Sequence, residues 1–165
     1  MRRSIPAMSP ILLLTASLWT LGAAAAPPVQ TFKDWALRCP DEVGCVLEQR
    51  VLLEDNDRTP LLHVALQYSG QPRSLNAILR VPLGVLLAPG LTLTLDAGAP
   101  QNIPFHHCLP EGCVGLIKIS DSLAADLRRA LTGQVSYRLA DGRNLEIPLS
   151  PLGITAGLRA LQRRP

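Results

Sequence analysis

Apolar and polar residues alternate along several segments of the chain, and a period of two indicates β-strands that bury one face. In residues 61–68 every second side chain from Leu62 onward is apolar, with His63 and Gln67 on the opposite face. A second apolar run, residues 75–81, follows a break of Ser, Gly and Pro, so the two runs predict a hairpin. Residues 91–96 alternate most regularly, with leucines on one face and threonines on the other. These segments predict strands that cover a core.

Further short strands are predicted on both sides of these segments. Asp141 and Gly142 favour a two-residue hairpin turn between the last two of them, because such a turn needs positive φ values. Asp55, Asn56 and Asp57 favour a turn before residue 61, since their side chains bond to nearby backbone. The additional predicted strands are residues 45–53, 114–119, 134–139 and 144–149. The three successive strands at residues 45–53, 61–68 and 75–81 indicate an antiparallel meander.

Two segments have a helical period instead. In residues 120–132, leucines recur every four positions, and Gly133 can end the helix. Residues 154–162 place their apolar side chains on one stripe and basic residues near the C-terminal end, where the helix dipole favours them. With about eight strands and turn signals about every ten residues, the fold is predicted to be mainly β. We expect an antiparallel β-sandwich or flattened barrel with one or two short helices.

The N-terminal segment is typical of a secretory signal peptide rather than of a folded domain. Arg2 and Arg3 give a positive start, residues 11–21 form an apolar stretch, and small residues follow at 23–26. We expect cleavage after Ala24 or Ala25. Residues 1–25 are therefore predicted to be the signal peptide, and residues 26–165 a single domain of ordinary size. The protein is expected in the periplasm or outside the cell.

The charge and hydropathy of the chain argue against two classes of protein, nucleic-acid-binding proteins and membrane-spanning proteins. The chain has 16 basic and 13 acidic residues. Removing Arg2 and Arg3 leaves 14 basic residues, so the net charge falls from +3 to +1. A nucleic-acid-binding protein needs a concentrated basic face, which this pattern does not predict. No second apolar stretch approaches the length of a membrane helix, so we do not expect a membrane-spanning protein.

The four cysteines form two close pairs, Cys39 with Cys45 and Cys108 with Cys113. An even number in an exported chain favours two disulfides, because the periplasm and the cell exterior oxidise thiols. A four-thiolate zinc site is the alternative, although its usual spacings are tighter. Four cysteines allow three connectivities. We expect the two local pairs, because each encloses turn residues that bring its ends together.

Several motifs in order along the chain resemble the invasion-associated locus B family. The similarity spans residues 32–161 and departs from the family at Ile154, where a Phe is usual. It implies an exported bacterial protein of the periplasm or cell surface, with an all-β domain, no established catalytic activity and, for the founding members, a link to entry into host cells. The matching motifs are Phe32-x-Asp34-Trp35-x-Leu37-x-Cys39, Cys45-x-Leu47-x-Gln49, Val81-Pro82-Leu83-Gly84-Val85, Pro104-Phe105-x-x-Cys108 with Gly112-Cys113, and Ser150-Pro151-Leu152-Gly153.

The residues themselves predict no catalytic site and no cofactor. None of the serines lies in a Gly-x-Ser-x-Gly or Ser-x-x-Lys motif, no phosphate-binding Gly-rich loop is present, and oxidised cysteines cannot act as thiolates. Trp35 lies four residues before Cys39, and we expect it to pack against the local disulfide rather than to bind a ligand. No enzyme is therefore predicted.

Two hypotheses of function follow. The first is a non-enzymatic binding or envelope-associated module whose partner is an unknown envelope or host protein. The alternative is a periplasmic metal-handling protein that uses His106 and His107, because imidazoles bind zinc, copper and nickel. Adjacent residues of an extended strand point to opposite sides, so these two side chains are not expected to reach one ion. His63 is expected to be an outward strand residue without other ligands nearby.

Overall fold

Within the residues that the structure describes, eleven strands and two helices follow one another along the chain. The structure is a computed structural model and describes residues 28–40, 44–53, 56–96 and 98–164, with the backbone alone at residues 56–59. The predicted signal peptide, residues 1–25, lies outside these ranges. The elements are β1 (Gln30–Phe32), β2 (Trp35–Arg38), β3 (Val46–Leu53), β4 (Asn56–Ser69), β5 (Ser74–Val81), β6 (Leu91–Leu95), β7 (Gln101–Ile103), β8 (Phe105–Leu109), β9 (Gly112–Lys118), α1 (Asp121–Arg129), β10 (Gly133–Arg138), β11 (Asn144–Pro148) and α2 (Ile154–Gln162).

The strands form two antiparallel sheets. The larger has seven strands in the order β1-β2-β3-β4-β5-β9-β8, and the smaller has four in the order β11-β10-β6-β7. Strands β3 to β5 are the three-strand meander predicted from the alternation, and β1 and β2 extend it by two strands that were not predicted. The two sheets stay separate and neither closes into a barrel. The predicted mainly β fold is confirmed, in its sandwich form.

The inward side chains of both sheets share one core. Leu62, Val64 and Leu66 on β4 and Leu75, Ala77, Leu79 and Val81 on β5 are buried. From the smaller sheet, β6, β10 and β11 contribute buried leucine, valine, tyrosine and isoleucine side chains to the same cluster. Helix α2 packs on the inner side of the large sheet, where a Cβ on Gly157 would lie 2.6 Å from the side chain of Leu47. The inner face of the large sheet is thus covered.

The helices agree with the sequence prediction to different degrees. Helix α2 has the predicted bounds, whereas α1 ends at Arg129, three residues before the predicted end. Leu131, the last residue of the predicted apolar period, is 85% exposed and contributes nothing to the core. Ser120 caps α1 by accepting a hydrogen bond from the backbone of Leu123 at 3.2 Å.

At the two predicted turns the structure differs from the sequence prediction. The turn between β10 and β11 is closed by the Gly142 N–H, which donates to the Leu139 carbonyl at 3.0 Å. Only Gly142, with φ of 90°, has a positive φ there, so the turn is a longer loop with a glycine bulge rather than a two-residue turn. Of the turn predicted at residues 55–57, residue 55 lies outside the described residues, and Asn56 and Asp57 belong to β4.

Candidate binding surface

Three of the five motifs that carried the family resemblance meet in one hydrogen-bonded cluster on the inner side of the large sheet. Trp35 is 1% exposed, and its indole N–H donates to the Ser150 carbonyl at 2.8 Å. The buried amide of Gln49 donates to the same carbonyl at 3.1 Å and accepts from the Ser150 N–H at 2.8 Å. The Ser150 hydroxyl donates to the Asp34 carboxylate. These residues fasten the entry of α2 to β2 and β3, so they have a structural role, and the Trp35 side chain is closed to ligands.

Both cysteine pairs are disulfides in the structure. Cys39 and Cys45 join the end of β2 to the start of β3, and Cys108 and Cys113 join β8 to β9. Cys108 and Cys113 are direct ladder partners in the β8–β9 hairpin, which explains how residues five apart come within bonding reach. Neither pair is available as a thiolate nucleophile or metal ligand.

The side chains of His106 and His107 converge, contrary to the sequence prediction. A register shift between Phe105 and His107 interrupts the alternation of β8. Their Nδ1 atoms lie 2.8 Å apart, and the rings meet edge to face. Both side chains are exposed, and the described residues contain no group of three His, Cys, Asp or Glu side chains that could hold an ion. No observation favours the metal-handling alternative.

The outer face of the seven-stranded sheet, meaning the side chains that point away from the core, carries a cluster of charges. Glu48 on β3 is 7% exposed and lies among three cationic or imidazole groups. Arg38 donates from Nε to its Oε1 at 2.6 Å, Arg50 donates from Nη2 to Oε2 at 3.2 Å, and the Nε2 of His63 lies 2.9 Å from Oε2. A carboxylate that is buried in this way needs such partners, because desolvation penalises its charge.

The pKa values of Glu48 and His63 follow from this arrangement. Burial raises the pKa of Glu48, but hydrogen bonds from Arg38 and His63 and the charge of Arg50 outweigh it and hold this pKa below its usual range. Burial is the largest influence on the pKa of His63 and lowers it. The hydrogen bond and the charge of Glu48 raise this pKa and the charges of Arg50 and Arg80 lower it, so that it stays below its usual value overall. Glu48 is therefore ionised and His63 neutral at pH 7, so the imidazole donates its Nε2–H to the carboxylate.

Strand register extends this cluster into a line across the sheet. Arg50 on β3 is the ladder partner of His63 on β4, and His63 is the partner of Arg80 on β5. We call these three residues the basic row. Side chains at directly opposed positions on one face lie close enough to act on one group. The basic row lines a cleft of about 570 Å³ together with Leu52, Pro82 and Leu83.

The rest of the outer face is uneven and partly apolar. Leu116 on β9 is 40% exposed, and its ladder partner Ile78 on β5 is half-buried. Helix α2 packs on the opposite side of this sheet, so these side chains face solvent in the described part of the chain. A surface with charged residues beside exposed apolar ones is suited to binding.

The cluster around Glu48 was not predicted from the sequence, although the alternation predicted the outward position of one member, His63. The period of two correctly places His63 on the outward side of β4. It does not show which residues of β3 lie beside it, because that depends on the register between strands. A carboxylate flanked by Arg50 two residues along the same strand was the available signal.

The comparisons with known proteins agree with this fold. Residues 35–162 match the family model described as "Invasion associated locus B (IalB) protein". Two invasion protein B homologs of Brucella abortus, from strain 2308 and from biovar 1 strain 9-941, are each 26% identical over 153 residues, covering 90% of this chain and 87% of the relative. The crystal structure of invasion associated protein B from Bartonella henselae superposes with a TM-score of 0.73 at 19% identity, covering 82% of this chain and 96% of that one.

Membrane insertion by a helix has no support in the described residues. Neither α1 nor α2, at nine residues each, has the length and apolar character that a bilayer crossing requires.

Proposed function

Because the chain belongs to the invasion-associated locus B family, we propose that it is an exported, non-enzymatic binding protein of the bacterial envelope. The family places it among invasion-associated envelope proteins. The finer part of the proposal is that it acts by binding, either in the periplasm or at the cell surface. The partner is an envelope or host protein, and the relatives named as invasion proteins support a contribution to host-cell entry.

Export is supported by the cysteines and by the N-terminus. Two disulfides require an oxidising compartment, which the cytosol of most bacteria does not provide. The charge and apolar pattern of residues 1–25 supplies the signal, so we propose residues 26–165 as the mature domain.

The observation that carries the binding function is the outer face of the seven-stranded sheet. It presents the cluster around Glu48, the basic row and exposed Leu116 on one surface. An arginine cluster beside apolar residues is the composition that anchors protein interfaces. Three motifs of the family resemblance, those of Trp35, Gln49 and Ser150, instead fasten α2 to the inner side of the same sheet.

The test is made in the source bacterium. Intact mass of the exported protein should show a chain that starts near Ala25, and retention of residues 1–24 would contradict export through a cleaved signal. A deletion strain complemented with Arg50→Ser should lose much of the host-entry or envelope phenotype that the parent gene restores. The matched control is Arg138→Ser, an exposed arginine on β10 of the other sheet. Equal complementation by both variants would contradict binding through the outer face.

A further inference from the structure

The cleft lined by the basic row has a cationic floor and an apolar wall. Its polar side comes from three adjacent strands, with Arg50 and Arg80 carrying positive charges and the neutral His63 in register between them. Its apolar side comes from the end of β3 and from the loop after β5, where Leu52 is 39% and Leu83 54% exposed. A volume of about 570 Å³ lies within the range of sites that hold one small organic molecule.

Arg80 is the unusual member of the basic row. Its Nε is buried, and no residue in the described part of the chain accepts a hydrogen bond from it. Glu48 is already shared among Arg38, Arg50 and His63. Glu111, on the turn between β8 and β9, also lines the cleft but makes no ion pair with Arg80 among the described residues. No described residue forms an ion pair with Arg80, so its positive charge at the cleft is one that an anionic ligand would neutralise.

Arginine recognises oxyanions through paired N–H groups, and phosphate and carboxylate heads fit that geometry. The ring N–H of His63 could also donate to such a head group, but only if its hydrogen bond to Glu48 breaks. The exposed leucine and proline side chains of the wall gain nothing from a bare inorganic ion. They are covered when the anion carries an apolar chain. The cleft therefore offers contacts for both parts of an amphipathic ligand, its anionic head and its apolar chain.

We propose that this cleft binds a single-chain anionic amphiphile. Its phosphate or carboxylate head contacts Arg50 and Arg80, and its chain lies against Leu52, Pro82 and Leu83. This inference rests on the proposed binding function and gives it a ligand class. In the envelope, such a molecule comes either from a free amphiphile or from a lipid in a bilayer, and the two sources share the head chemistry.

The experiment titrates the purified, oxidised protein with octyl phosphate below its micelle-forming concentration, with inorganic phosphate and with octanol. The ring signals of His63 in NMR spectra report the site, and those of exposed His106 serve as an internal reference. Octyl phosphate should bind at least about tenfold more tightly than either other probe, because only it fills both halves of the cleft. Equal binding of octyl phosphate and octanol, or of octyl phosphate and inorganic phosphate, would overturn the proposal.

Variants locate the site. Arg80→Met keeps the aliphatic stem and removes the charge, and it should weaken octyl phosphate binding at least about tenfold. Arg138→Met is the matched control and should bind like the parent. If Arg80→Met does not fold, Arg50→Met replaces it with the same expectation. Equal affinities of the Arg80 or Arg50 variant and the Arg138 control would contradict the assignment.

A vesicle arm separates the two sources of the ligand. Binding to vesicles that contain phosphatidylglycerol, without saturable binding of monomeric octyl phosphate, would show that this surface binds a bilayer. That result would contradict the proposal that the cleft binds a single amphiphile. Saturable binding of the monomer supports it. These measurements use purified protein, so their failure leaves the binding function itself to be decided by partner cross-linking in the bacterium.

Discussion

Gln49 and Ser150 exchange two hydrogen bonds across 101 residues of sequence. The Gln49 amide donates to the Ser150 carbonyl at 3.1 Å and accepts from the Ser150 N–H at 2.8 Å. Gln49 thereby completes both backbone groups of a residue that precedes α2, much as a neighbouring strand would. This explains why Gln49 and the Ser-Pro-Leu-Gly segment occur together in the sequence pattern of the family: they are two halves of one contact.

The first prediction concerns that contact. Gln49→Ala leaves the Ser150 N–H without its side-chain partner and the Ser150 carbonyl with Trp35 as its remaining side-chain donor, so it should lower the free energy of unfolding by about 2 kcal/mol. Urea denaturation measures it. The matched control is Gln67→Ala, half-buried on the outer face of β4, which should change stability by less than about 0.5 kcal/mol. Equal effects would show that Gln49 does not fasten α2.

The second prediction separates two reasons why a position requires glycine: a positive φ, and a lack of space for a Cβ. Gly142 and Gly153 have nearly the same φ, 90° and 93°. A Cβ on Gly142 meets nothing within 4 Å, whereas one on Gly153 would lie 1.9 Å from the Phe32 carbonyl oxygen. Gly142→Ala should therefore cost about 1 to 2 kcal/mol for its backbone conformation alone.

Gly153→Ala adds a clash with β1 to the same backbone cost, and it should lose at least about 3 kcal/mol. Thermal or urea unfolding of the two variants side by side measures the difference. Similar losses in both would mean that α2 does not approach β1 as closely as the structure has it.

The third prediction is a pH dependence from Glu48. Its pKa is lower in the folded chain than the usual 4.5, so the folded state binds fewer protons there than the unfolded state. The stability from Glu48 is fully present above about pH 4.5 and is lost as the pH falls through the lower folded-state pKa. Glu48→Gln should lower stability at pH 7 and show a shallower fall between about pH 5 and pH 3.

The control for this pH dependence is Glu146→Gln, an exposed glutamate on β11. Its unfolding free energy should fall with pH in parallel with that of the parent. A Glu48→Gln curve that also runs parallel to the parent would show that the contacts of Glu48 with Arg38, Arg50 and His63 do not stabilise the folded state.

The fourth prediction concerns the cysteine connectivity in the exported protein. Glu42 lies between Cys39 and Cys45, and Glu111 between Cys108 and Cys113. Cleavage after glutamate, without reduction, should therefore give two linked peptide pairs, one for each local disulfide. A peptide that joins Cys39 or Cys45 to Cys108 or Cys113 would contradict the local pairing, and free thiols would contradict both disulfides.

The sequence predicted those parts of the fold that depend on local periodicity. The alternation of residues 61–68, 75–81 and 91–96 was sufficient because one face of each strand is buried. Strands β1, β2 and β7 were missed because three or four residues are too few to show a period. Strand β8 was missed because it lies at a sheet edge with four of its five side chains exposed.

The candidate site depends on pairings that a single sequence does not contain. Glu48 and His63 are 15 residues apart, and only the β3–β4 register brings them together. The same limit applies to His106 and His107, whose side chains converge instead of pointing to opposite sides, because the register shift in β8 has no signature in the residues themselves.

We propose that this protein binds its partner through the outer face of the seven-stranded sheet. Site-specific photo-cross-linking in the living bacterium tests it most directly, with the photoreactive residue placed at Gln67 or Leu116 on that face and, as controls, at Arg138 or Glu146 on the smaller sheet. We expect discrete cross-linked adducts from the two outer-face positions and none from the controls. Adducts from the control positions alone would contradict it.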